Sequence, residues 1–466
     1  MAHHPQIDRA TAAQHEFEGA RLGDARLDRR LGYISGALAQ CASDSLPAVM
    51  GDDAALEATY RFLNNERVSP AKILRPHVQR TVERCTQQQR VLAVFDTTEL
   101  RYAGERKQLG HLQHNGRGML AHVGLAVSAD GTREPLGTVH LETIQRSPVK
   151  KARKTAAGKP DNERLRWHRA VQAVYKTLPD AICVMDREAD VFDLAFEMAS
   201  RNQFFIVRAA QNRRTADGLM WDLLDDMPCI STRNVELAAR AQHKRKSKRE
   251  QLPARSAHTA RLEITARAVV LRSPEAVRKA RPAPSLALHL VQVIERDPPD
   301  GDMPVQWLLL TNLPIASAQE VDFIVDGYCA RWVIEEFFKA LKTGCAIEKR
   351  QLESVASITN MLAVSLPVAW LILRLRNLSR DEPDRPAGTL LSPLMLLCLR
   401  KLYLRQNRKT LPEHPTCKDL AWAIAALGGH IKNNGEPGVI VLGRGLDVLL
   451  RASQIASALG VICDQS

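Results

Sequence analysis

Residues 181–208 read AICVMDREADVFDLAFEMASRNQFFIVR, and this stretch indicates the fold class of the chain. It begins with a short apolar run, which predicts a buried strand, and the run ends at an acid, Asp186. A segment with helical spacing follows and leads into a second apolar strand that ends at Arg208. A strand, an acid, a helix and a strand in this order predict an α/β layer fold with an acid at a strand end.

Upstream of this stretch the sequence predicts three successive strands. RVLAVF at residues 90–95 predicts a strand that ends at Asp96, the first residue of the motif DTT. MLAHVGLAVSADGTREPLGTVHLETI at residues 119–144 predicts a hairpin around Asp130 and Gly131. Three strands followed by alternating helix and strand support the same α/β prediction.

The regions outside this core have different patterns. Residues 211–305 contain β-like segments joined by basic and Pro-rich loops, so we expect an inserted sheet there. Residues 1–75 and 355–466 show mostly helical spacing. The N-terminal region also carries a cluster of arginines: Arg21, Arg26, Arg29 and Arg30. The simple interpretation of this cluster is a charged surface, and the functional one is a surface that binds DNA phosphates.

Composition favours an acidic partner. The 466 residues include 65 Lys and Arg against 52 Asp and Glu, a formal net charge of +13, which favours nucleic acid. The nine cysteines are scattered, which is typical of free thiols in a reducing compartment. The first residues lack the pattern of a signal peptide, and the apolar run at 361–373 is too short to span a bilayer. We therefore expect a cytoplasmic protein without a membrane partner.

A second informative stretch, YCARWVIEEFFKALK at residues 328–342, predicts an amphipathic helix. At about 100° per residue, one stripe of this helix would carry five polar side chains: Tyr328, Arg331, Glu335, Lys339 and Lys342. The opposite side would be apolar: Ile334, Phe337, Ala340 and Leu341. Glu336 falls about 100° from the stripe, so the pattern favours Glu335 for any chemistry. The alternative is a solvated face with ion pairs four residues apart.

Three acids stand out by their positions. Asp96 and Asp186 each follow a predicted strand, and Glu335 faces outward from a predicted helix. Acids in such an arrangement can hold two Mg²⁺ ions about 3.5 to 4 Å apart, and such a pair clamps the attacking and leaving oxygens of a phosphodiester. Taken singly, an aspartate at a strand end is more often a helix cap or a turn residue. Glu188, Asp190 and Asp193 follow Asp186 closely, and we interpret them as helix-start or surface groups.

Taken together, these motifs resemble a known family. The DTT motif, the segment CVMDREAD and the spacing Tyr328-x2-Arg331-x3-Glu335-x3-Lys339-x2-Lys342 resemble the DDE transposases of bacterial insertion sequences. The best match is the subgroup with a Tyr-Arg-Glu-Lys signature, which includes the transposase of transposon five. The similarity extends over most of residues 15–375 and is carried by further segments: GDARLDRRL, ATYRFLNNERVS, FIVR, WLLLT and RWVIEEFFKALKTG.

The resemblance implies an RNase H-like catalytic core that is interrupted by a β-strand insert. It implies that Asp96, Asp186 and Glu335 form the catalytic triad and bind two Mg²⁺ ions, with Mn²⁺ as an alternative. It also implies cut-and-paste chemistry in successive displacements at phosphorus. A water molecule first frees a 3′-OH at the transposon end, this hydroxyl forms a hairpin with the opposite strand, the hairpin reopens, and the freed end joins target DNA.

The resemblance also implies a set of DNA contacts. Tyr328, Arg331, Lys339 and Lys342 would hold phosphates around the scissile bond. Trp307 and Trp332 would stack on a flipped base, which is worth about 1 to 3 kcal/mol per base, whereas core packing is the alternative for both. Arg208 would contact DNA, or else be a surface charge at a strand end. The basic run KRKSKRE at residues 244–250 would follow the DNA backbone or form a solvated loop.

The implied organisation has three domains. Residues 1–75 would be a helical domain that binds transposon ends, residues 76–375 the catalytic domain with its insert at about 211–305, and residues 376–466 a helical dimerisation domain. The partners would be double-stranded DNA, as terminal repeats and target, and a second copy of the chain in a nucleoid-associated synaptic complex. Two alternatives stay open: a nuclease of the same fold that does not join DNA, and a catalytically silent DNA-binding regulator. The presence of all three triad acids argues against a protein without catalytic activity.

Overall fold

The computed structural model describes residues 9–40, 42–104, 106, 109–112, 116–146, 163–240, 254–274, 285–389, 391–431 and 435–459. The strands in these ranges are β1 Val91–Tyr102, β2 Gly110–His111, β3 Arg117–Ser128, β4 Pro135–Ile144, β5 Ile182–Met185, β6 Phe205–Arg208, β7 Arg214–Thr215, β8 Gly218–Leu219, β9 Cys229–Leu237, β10 His258–Leu271, β11 Leu286–Glu295 and β12 Gln306–Thr311. The α-helices are α1 Arg9–Phe17, α2 Ala25–Gln40, α3 Leu46–Met50, α4 Asp53–Leu63, α5 Pro70–Cys85, α6 Arg166–Thr177, α7 Phe192–Ser200, α8 Ala318–Ala330, α9 Trp332–Lys339, α10 Val355–Asp381, α11 Pro393–Asn407, α12 Cys417–Leu427 and α13 Val439–Ala458. The predicted α/β class is confirmed, and the basic run at 244–250 lies outside the described residues.

The chain divides into two compact units. The first unit contains residues 1–89, 96–166 and 332–466, and the second contains residues 90–95 and 167–331. Strand β1 contributes residues to both, because the division falls between Phe95 and Asp96.

In the first unit, β3 and β4 form the predicted hairpin. They pair antiparallel from Leu120 with Ile144 to Val127 with Pro135, and the connecting turn contains Asp130. Strand β3 is buried along almost its whole length. A side chain at Gly118 would come within 2.0 Å of the backbone oxygen of Leu100 on β1, so only glycine allows the close approach of these two strands.

Helix α10 is the central helix of the first unit and packs against α2, α4, α5 and β4. Its window Val355–Arg374 is long and apolar enough to cross a membrane, but 83% of it is buried inside the protein, as expected for a core helix. The sequence prediction counted only residues 361–373 as apolar. The helix is longer because it also buries hydrogen-bonded polar residues, among them Asn360, whose side chain donates to the backbone oxygen of Leu63 at 3.0 Å.

The second unit is built on one sheet. Residues of β1 pair parallel with β5, with Leu92 opposite Ile182 and Val94 opposite Val184, and β5 pairs parallel with β6. From β6 the sheet continues antiparallel through β12, β11 and β10, and β10 also pairs with β7 and β9. The strands predicted between residues 211 and 305 are therefore present, but the expectation of an inserted sheet needs correction. They extend the edge of the existing sheet, because β12 pairs with both β6 and β11.

The prediction that β1 ends at Asp96 is wrong. The strand continues to Tyr102, so Asp96 lies in its middle. The residues after Asp96 keep the alternation of a strand, with Thr98, Leu100 and Tyr102 buried, and β-branched threonines favour extended backbone.

The prediction of one continuous helix over residues 328–342 is also wrong. Helix α8 ends at Ala330, and the N–H of Arg331 bonds to the oxygen of Tyr328 at 3.1 Å, a tighter turn than in an α-helix. Helix α9 then begins at Trp332 and ends at Lys339, and a π-helical turn follows over Ala340–Gly344. The apolar side of the prediction is confirmed, since Ile334, Phe337, Ala340 and Leu341 are all fully buried.

Candidate catalytic and DNA-contact residues

Asp96 lies on β1 in the first unit and is partly buried. Its Oδ1 accepts a hydrogen bond from the N–H of Thr97 at 2.7 Å. On the opposite face of the strand, the hydroxyl of Thr97 lies 2.9 Å from Nδ1 of His122 on β3, and Nε of Arg166 donates to the same hydroxyl at 3.1 Å. His122 and Arg166 are both buried. Side chains from three segments therefore fix β1 beside Asp96.

The sequence patterns did not predict this group around Thr97, although one signal was present. His122 is a polar residue inside the apolar run MLAHVGLAV, on a strand whose residues are nearly all buried. A buried polar side chain requires a hydrogen-bond partner, so a histidine at this position predicts a partner inside the core.

Glu335 and Glu336 are neighbours on α9 in the first unit, and both are partly buried. The carboxylate of Glu336 forms an ion pair with the buried guanidinium of Arg376 on α10. The pairing gives Glu336 a structural role, which agrees with the choice of Glu335 as the candidate catalytic residue.

Lys342 and the α9 segment approach β1 within the first unit. Nζ of Lys342, in the π-helical turn, donates to the backbone oxygen of Glu99 at 2.7 Å. The backbone N–H of Arg101 donates to Oε1 of Glu348 at 2.8 Å. The segment that follows Glu335 is therefore attached to the half of β1 that follows Asp96.

Trp332 and Lys339 are surface residues of α9. Trp332 is 57% exposed, so core packing, which was one interpretation of this residue, is wrong. Nζ of Lys339 lies 5.9 Å from the centre of the Trp332 ring, within the range of a cation–π interaction. An exposed indole beside an ammonium group offers a stacking surface and a positive charge together.

In the second unit, Asp186 directly follows β5. It caps the 3₁₀ turn Arg187–Ala189, and its Oδ1 accepts a hydrogen bond from the N–H of Glu188 at 2.8 Å. A carboxylate has about four acceptor positions, and this bond uses one of them. The capping role that is common for an aspartate at a strand end is thus compatible with a further ligand.

Asp190 is not a surface or helix-start group, and that prediction is wrong. Its side chain is 4% exposed and pairs with Arg213, which is 9% exposed. Nε and Nη2 of Arg213 donate to Oδ1 of Asp190 at 3.1 and 2.6 Å, and Nη2 also reaches the backbone oxygen of Asp190 at 2.6 Å. The N–H groups of Ala210 and Gln211 donate to Oδ2 at 2.7 and 3.1 Å.

The other predicted DNA contacts of the second unit lie on β6, β12 and α8 or just after them. Arg208 ends β6 opposite Leu309, and its Nη2 lies 3.4 Å from the backbone oxygen of Gln306. Tyr328 is only 7% exposed, so the alternative of a solvated polar face does not hold for this residue. Its ring lies 5.7 Å from that of Trp307 in an edge-to-face arrangement, because the side chain turns inward onto β12. Arg331 is partly buried at the turn after α8.

The donor chemistry of the three candidate acids suits a hard divalent cation, because Mg²⁺ prefers carboxylate oxygens. In the described part of the chain, no three His, Cys, Asp or Glu side chains form a ready-made metal group. Convergence of Asp96, Asp186 and Glu335 on a metal therefore stays a prediction.

The N-terminal helices carry a basic surface. Three of the predicted arginines, Arg21, Arg26 and Arg29, are exposed. On α2, the guanidinium of Arg30 lies 5.3 Å from the ring of Tyr33, which is 43% exposed. Arginines clustered on one exposed surface are typical of a protein that binds nucleic acid.

Two kinds of comparison relate the chain to known proteins. The chain is similar to a solved structure titled "Cryo-EM structure of piggyBac transposase synaptic complex with hairpin DNA", with 10% sequence identity, a TM-score of 0.38 and coverage of 81% of this chain and 77% of that chain. A family model described as Transposase DNA-binding matches residues 9–68, and one described as Transposase DDE domain matches residues 88–371. Because the second match spans more than half of the 466 residues, the chain belongs to the DDE transposases, enzymes that cut DNA strands and join them to new partners.

Proposed function

We propose that Asp96, Asp186 and Glu335 form the catalytic triad of this transposase and hold two divalent ions, with Mg²⁺ as the natural ion and Mn²⁺ as an alternative. The observation that carries the proposal is the register of the parallel strands β1 and β5. Val94 pairs with Val184, and an aspartate follows two residues after each of them. The two aspartates therefore have matching offsets from a paired residue, Asp96 still on β1 and Asp186 in the turn just after β5, and this match supports a shared role for the two carboxylates.

Contacts inside the first unit support the choice of Glu335 as the third member. The hydrogen bonds from Lys342 to Glu99 and from Arg101 to Glu348 attach the segment after Glu335 to the strand that carries Asp96. Glu336 has its own partner in Arg376. We infer that Glu335 supplies the third carboxylate.

We also propose that the core is RNase H-like and that residues 211–305 interrupt it as an insert. The antiparallel hairpin of β3 and β4, followed by the parallel strands β1, β5 and β6, supports this interpretation. The insert strands extend the sheet beyond β12 and leave the order of the core strands unchanged.

A triad of this kind would catalyse in-line phosphoryl transfer. Divalent ions bound by the triad would clamp the attacking and leaving oxygens of the scissile phosphodiester. We propose that Arg208, Arg331, Lys339 and Lys342 hold the neighbouring phosphates, arginine by two-point contacts and lysine as a mobile charge. An ammonium group has three donors, so Lys342 keeps two hydrogens for a phosphate while it contacts Glu99.

We propose that Trp307 and Trp332 stack on a base flipped out of the cleaved end. Trp332 is exposed beside Lys339, and Trp307 contacts the Tyr328 ring in an edge-to-face arrangement. Tyr328 would then act on the DNA through Trp307. In this sequence of steps the 3′-OH freed at the transposon end forms a hairpin, which is reopened before strand transfer.

We propose that the protein is an insertion-sequence transposase with the Tyr-Arg-Glu-Lys signature. It would act as a homodimer in a synaptic complex, in the cytoplasm and associated with the nucleoid. Residues 1–75 would bind the terminal repeats, residues 76–375 would cut and join them, and residues 376–466 would dimerise. The exposed arginines of the N-terminal helices support the first assignment. The cluster of buried apolar residues that α11, α12 and α13 form supports a helical C-terminal assignment.

The test is a cleavage assay on a labelled duplex that carries the element's own terminal repeat, with and without Mg²⁺. Asp186→Asn is the informative variant, because asparagine keeps the helix-capping bond but removes the charge. We expect the wild type to nick the end and form a hairpin only with the metal, and the variant to bind the duplex without cutting it.

Asp193→Asn is the matched control, because Asp193 is an exposed acid seven residues further along the same segment. It should cleave like the wild type. Cleavage by Asp186→Asn at the wild-type rate would overturn the triad. Nicking without hairpin formation or joining would favour the nuclease alternative.

A further inference from the structure

The Asp190–Arg213 pair is a buried clamp between two loops of the second unit. Three hydrogen bonds from Arg213 and two from the N–H groups of Ala210 and Gln211 reach Asp190. Both charged side chains are more than nine-tenths buried. The carboxylate of Asp190 therefore has its bonding capacity filled by the protein itself.

The two clamped loops carry two of the proposed functional residues. One loop follows β5 and contains Asp186, four residues before Asp190, and the other follows β6 and begins just after Arg208. Strands β5 and β6 are parallel neighbours, so both loops leave the same edge of the sheet. The clamp thus connects the loop of a proposed metal ligand to the loop of a proposed phosphate contact.

The turn between Asp186 and Asp190 is short and internally bonded. The N–H of Ala189 bonds to the oxygen of Asp186 at 3.1 Å, and the N–H of Val191 bonds to the oxygen of Ala189 at 2.7 Å. Because the chain at Asp186 has left the sheet, the direction of its carboxylate depends on this turn. The far end of the turn is fixed by Arg213.

We propose that Asp190 and Arg213 are positioning residues for the transposase reaction, which hold Asp186 and Arg208 in register with each other. This inference rests on the proposed role of Asp186. A buried ion pair contributes little net stability compared with apolar residues of similar size, whereas removal of one partner leaves a buried charge uncompensated. The role of the Asp190–Arg213 pair is therefore to fix the positions of the two loops.

The experiment compares Asp190→Asn, Arg213→Lys and the control Asp193→Asn with the wild type. The first measurement is amide hydrogen exchange of residues 186–191 and 209–213 in the absence of metal and DNA. The second is the Mg²⁺ concentration that gives half-maximal cleavage of the terminal-repeat duplex, together with the maximal rate and the affinity for the uncut end.

For Asp190→Asn we expect local exchange to accelerate about tenfold and the half-maximal Mg²⁺ concentration to rise about tenfold, in line with outer-shell substitutions at metal sites. End binding and exchange in the first unit should stay at wild-type values. Arg213→Lys keeps the charge but loses the two-point contact, so it should change the same quantities in the same direction by a smaller factor. It also provides the test if Asp190→Asn does not fold.

Wild-type local exchange and Mg²⁺ dependence in both variants would overturn the inference. So would a lower maximal rate at unchanged half-maximal Mg²⁺, because that result indicates a general loss of folded enzyme. Asp186→Asn, assayed in parallel, separates this inference from the proposed function. If Asp186→Asn cleaves normally, the proposed function fails, whereas an inactive Asp186→Asn beside a fully normal Asp190→Asn defeats the clamp alone.

Discussion

Asp96 lies in the middle of strand β1, whereas Asp186 lies in the turn that follows strand β5. The backbone at Asp96 belongs to a strand with neighbours in the sheet, and the side chains of His122 and Arg166 add contacts to Thr97 beside it. The backbone at Asp186 has left the sheet, and the buried Asp190–Arg213 clamp fixes the end of its turn. Substitutions beside Asp186, which is held by a turn, should therefore change the Mg²⁺ dependence of cleavage more than substitutions beside Asp96, which is held by a strand.

The largest expected effect is the loss of either carboxylate itself, which should not depend on how it is held. Asp96→Asn and Asp186→Asn should each reduce cleavage about 10³-fold or more, because several kcal/mol of transition-state stabilisation is lost. End binding should remain, since it rests on many phosphate contacts. Rates of single-turnover cleavage measure the effect, and an Asp96→Asn enzyme with nearly normal cleavage would exclude Asp96 from the triad.

The third acid extends the comparison to a helix, where two neighbouring glutamates have different partners. Glu335→Gln should reduce cleavage by about the same 10³-fold and lower the thermal midpoint less than Glu336→Gln does. Glu336→Gln should leave cleavage nearly unchanged but lower the thermal midpoint, because it removes the carboxylate charge that pairs with Arg376. Cleavage assays and thermal unfolding of both variants decide the matter. If the two variants ranked the other way, the assignment of Glu335 would be wrong.

The side-chain contacts beside Asp96 should matter less than the clamp beside Asp186. Thr97→Val keeps the shape of the side chain but removes the hydroxyl that contacts His122 and Arg166, at a cost of about 1 to 3 kcal/mol. We expect faster amide exchange in β1 and β3 but a less than tenfold change in half-maximal Mg²⁺. A larger shift in Mg²⁺ dependence than that of Asp190→Asn would reverse the comparison.

Thr98→Val is the matched control for stability. Thr98 is the next residue on β1, is buried and lies on the opposite face of the strand from Thr97, so its substitution leaves the contacts of Thr97 with His122 and Arg166 intact. The same change of a hydroxyl to a methyl group should therefore leave amide exchange nearly unaltered.

The sequence predicted the strands that carry the acids because their signal is local. Apolar runs such as RVLAVF and AICVM require only a buried environment, and β1, β5 and β6 formed where these runs lie. The join between the insert and the core sheet could not be predicted in the same way. Arg208 on β6 is opposite Leu309 on β12, and no local pattern specifies a partner so distant in sequence.

The candidate site shows the same limit. Spacing separated Glu335 from Glu336, but it did not show the break at Arg331 or the π-helical turn after Lys339. It also grouped Tyr328 with the charged residues of one stripe, because helical phase cannot reveal that Trp307 on another element offers an aromatic neighbour. Three acids follow Asp186 within seven residues, and only the fold shows which of them meets Arg213.

The smallest expected effect is a difference in the response of the two units to pH. In the first unit, His77 is buried, and its Nε2 accepts the N–H of Thr138 at 2.9 Å, so the ring is neutral. Burial lowers the pKa of His77 below its ordinary 6.5, although Glu16 opposes the shift. The unfolded chain therefore takes up a proton first as the pH falls, and the first unit should lose stability below about pH 6.5.

Glu16 acts in the same direction at lower pH. Burial disfavours its charged form, but the hydrogen bonds from His77 and Arg84 and the charge of Arg84 outweigh burial and lower its pKa from 4.5 to about 2. The stabilisation that ionised Glu16 gives the folded first unit is present above pH 4.5 and is lost as the pH falls toward 2.

In the second unit, the hydrogen bond to Glu295 raises the pKa of His258 above 6.5. The stabilisation that His258 gives the folded state is therefore present below pH 6.5 and is lost as the pH rises through the folded-state pKa. After correction of the exchange rates for their intrinsic pH dependence, acidification from pH 8 to 5.5 should therefore lower the opening free energy of amides in α5 and β4 by on the order of 1 kcal/mol and raise that of amides in β10 and β11. His77→Gln should remove the first response and His258→Gln the second. Equal responses of both units in the wild type would show that neither histidine controls local stability.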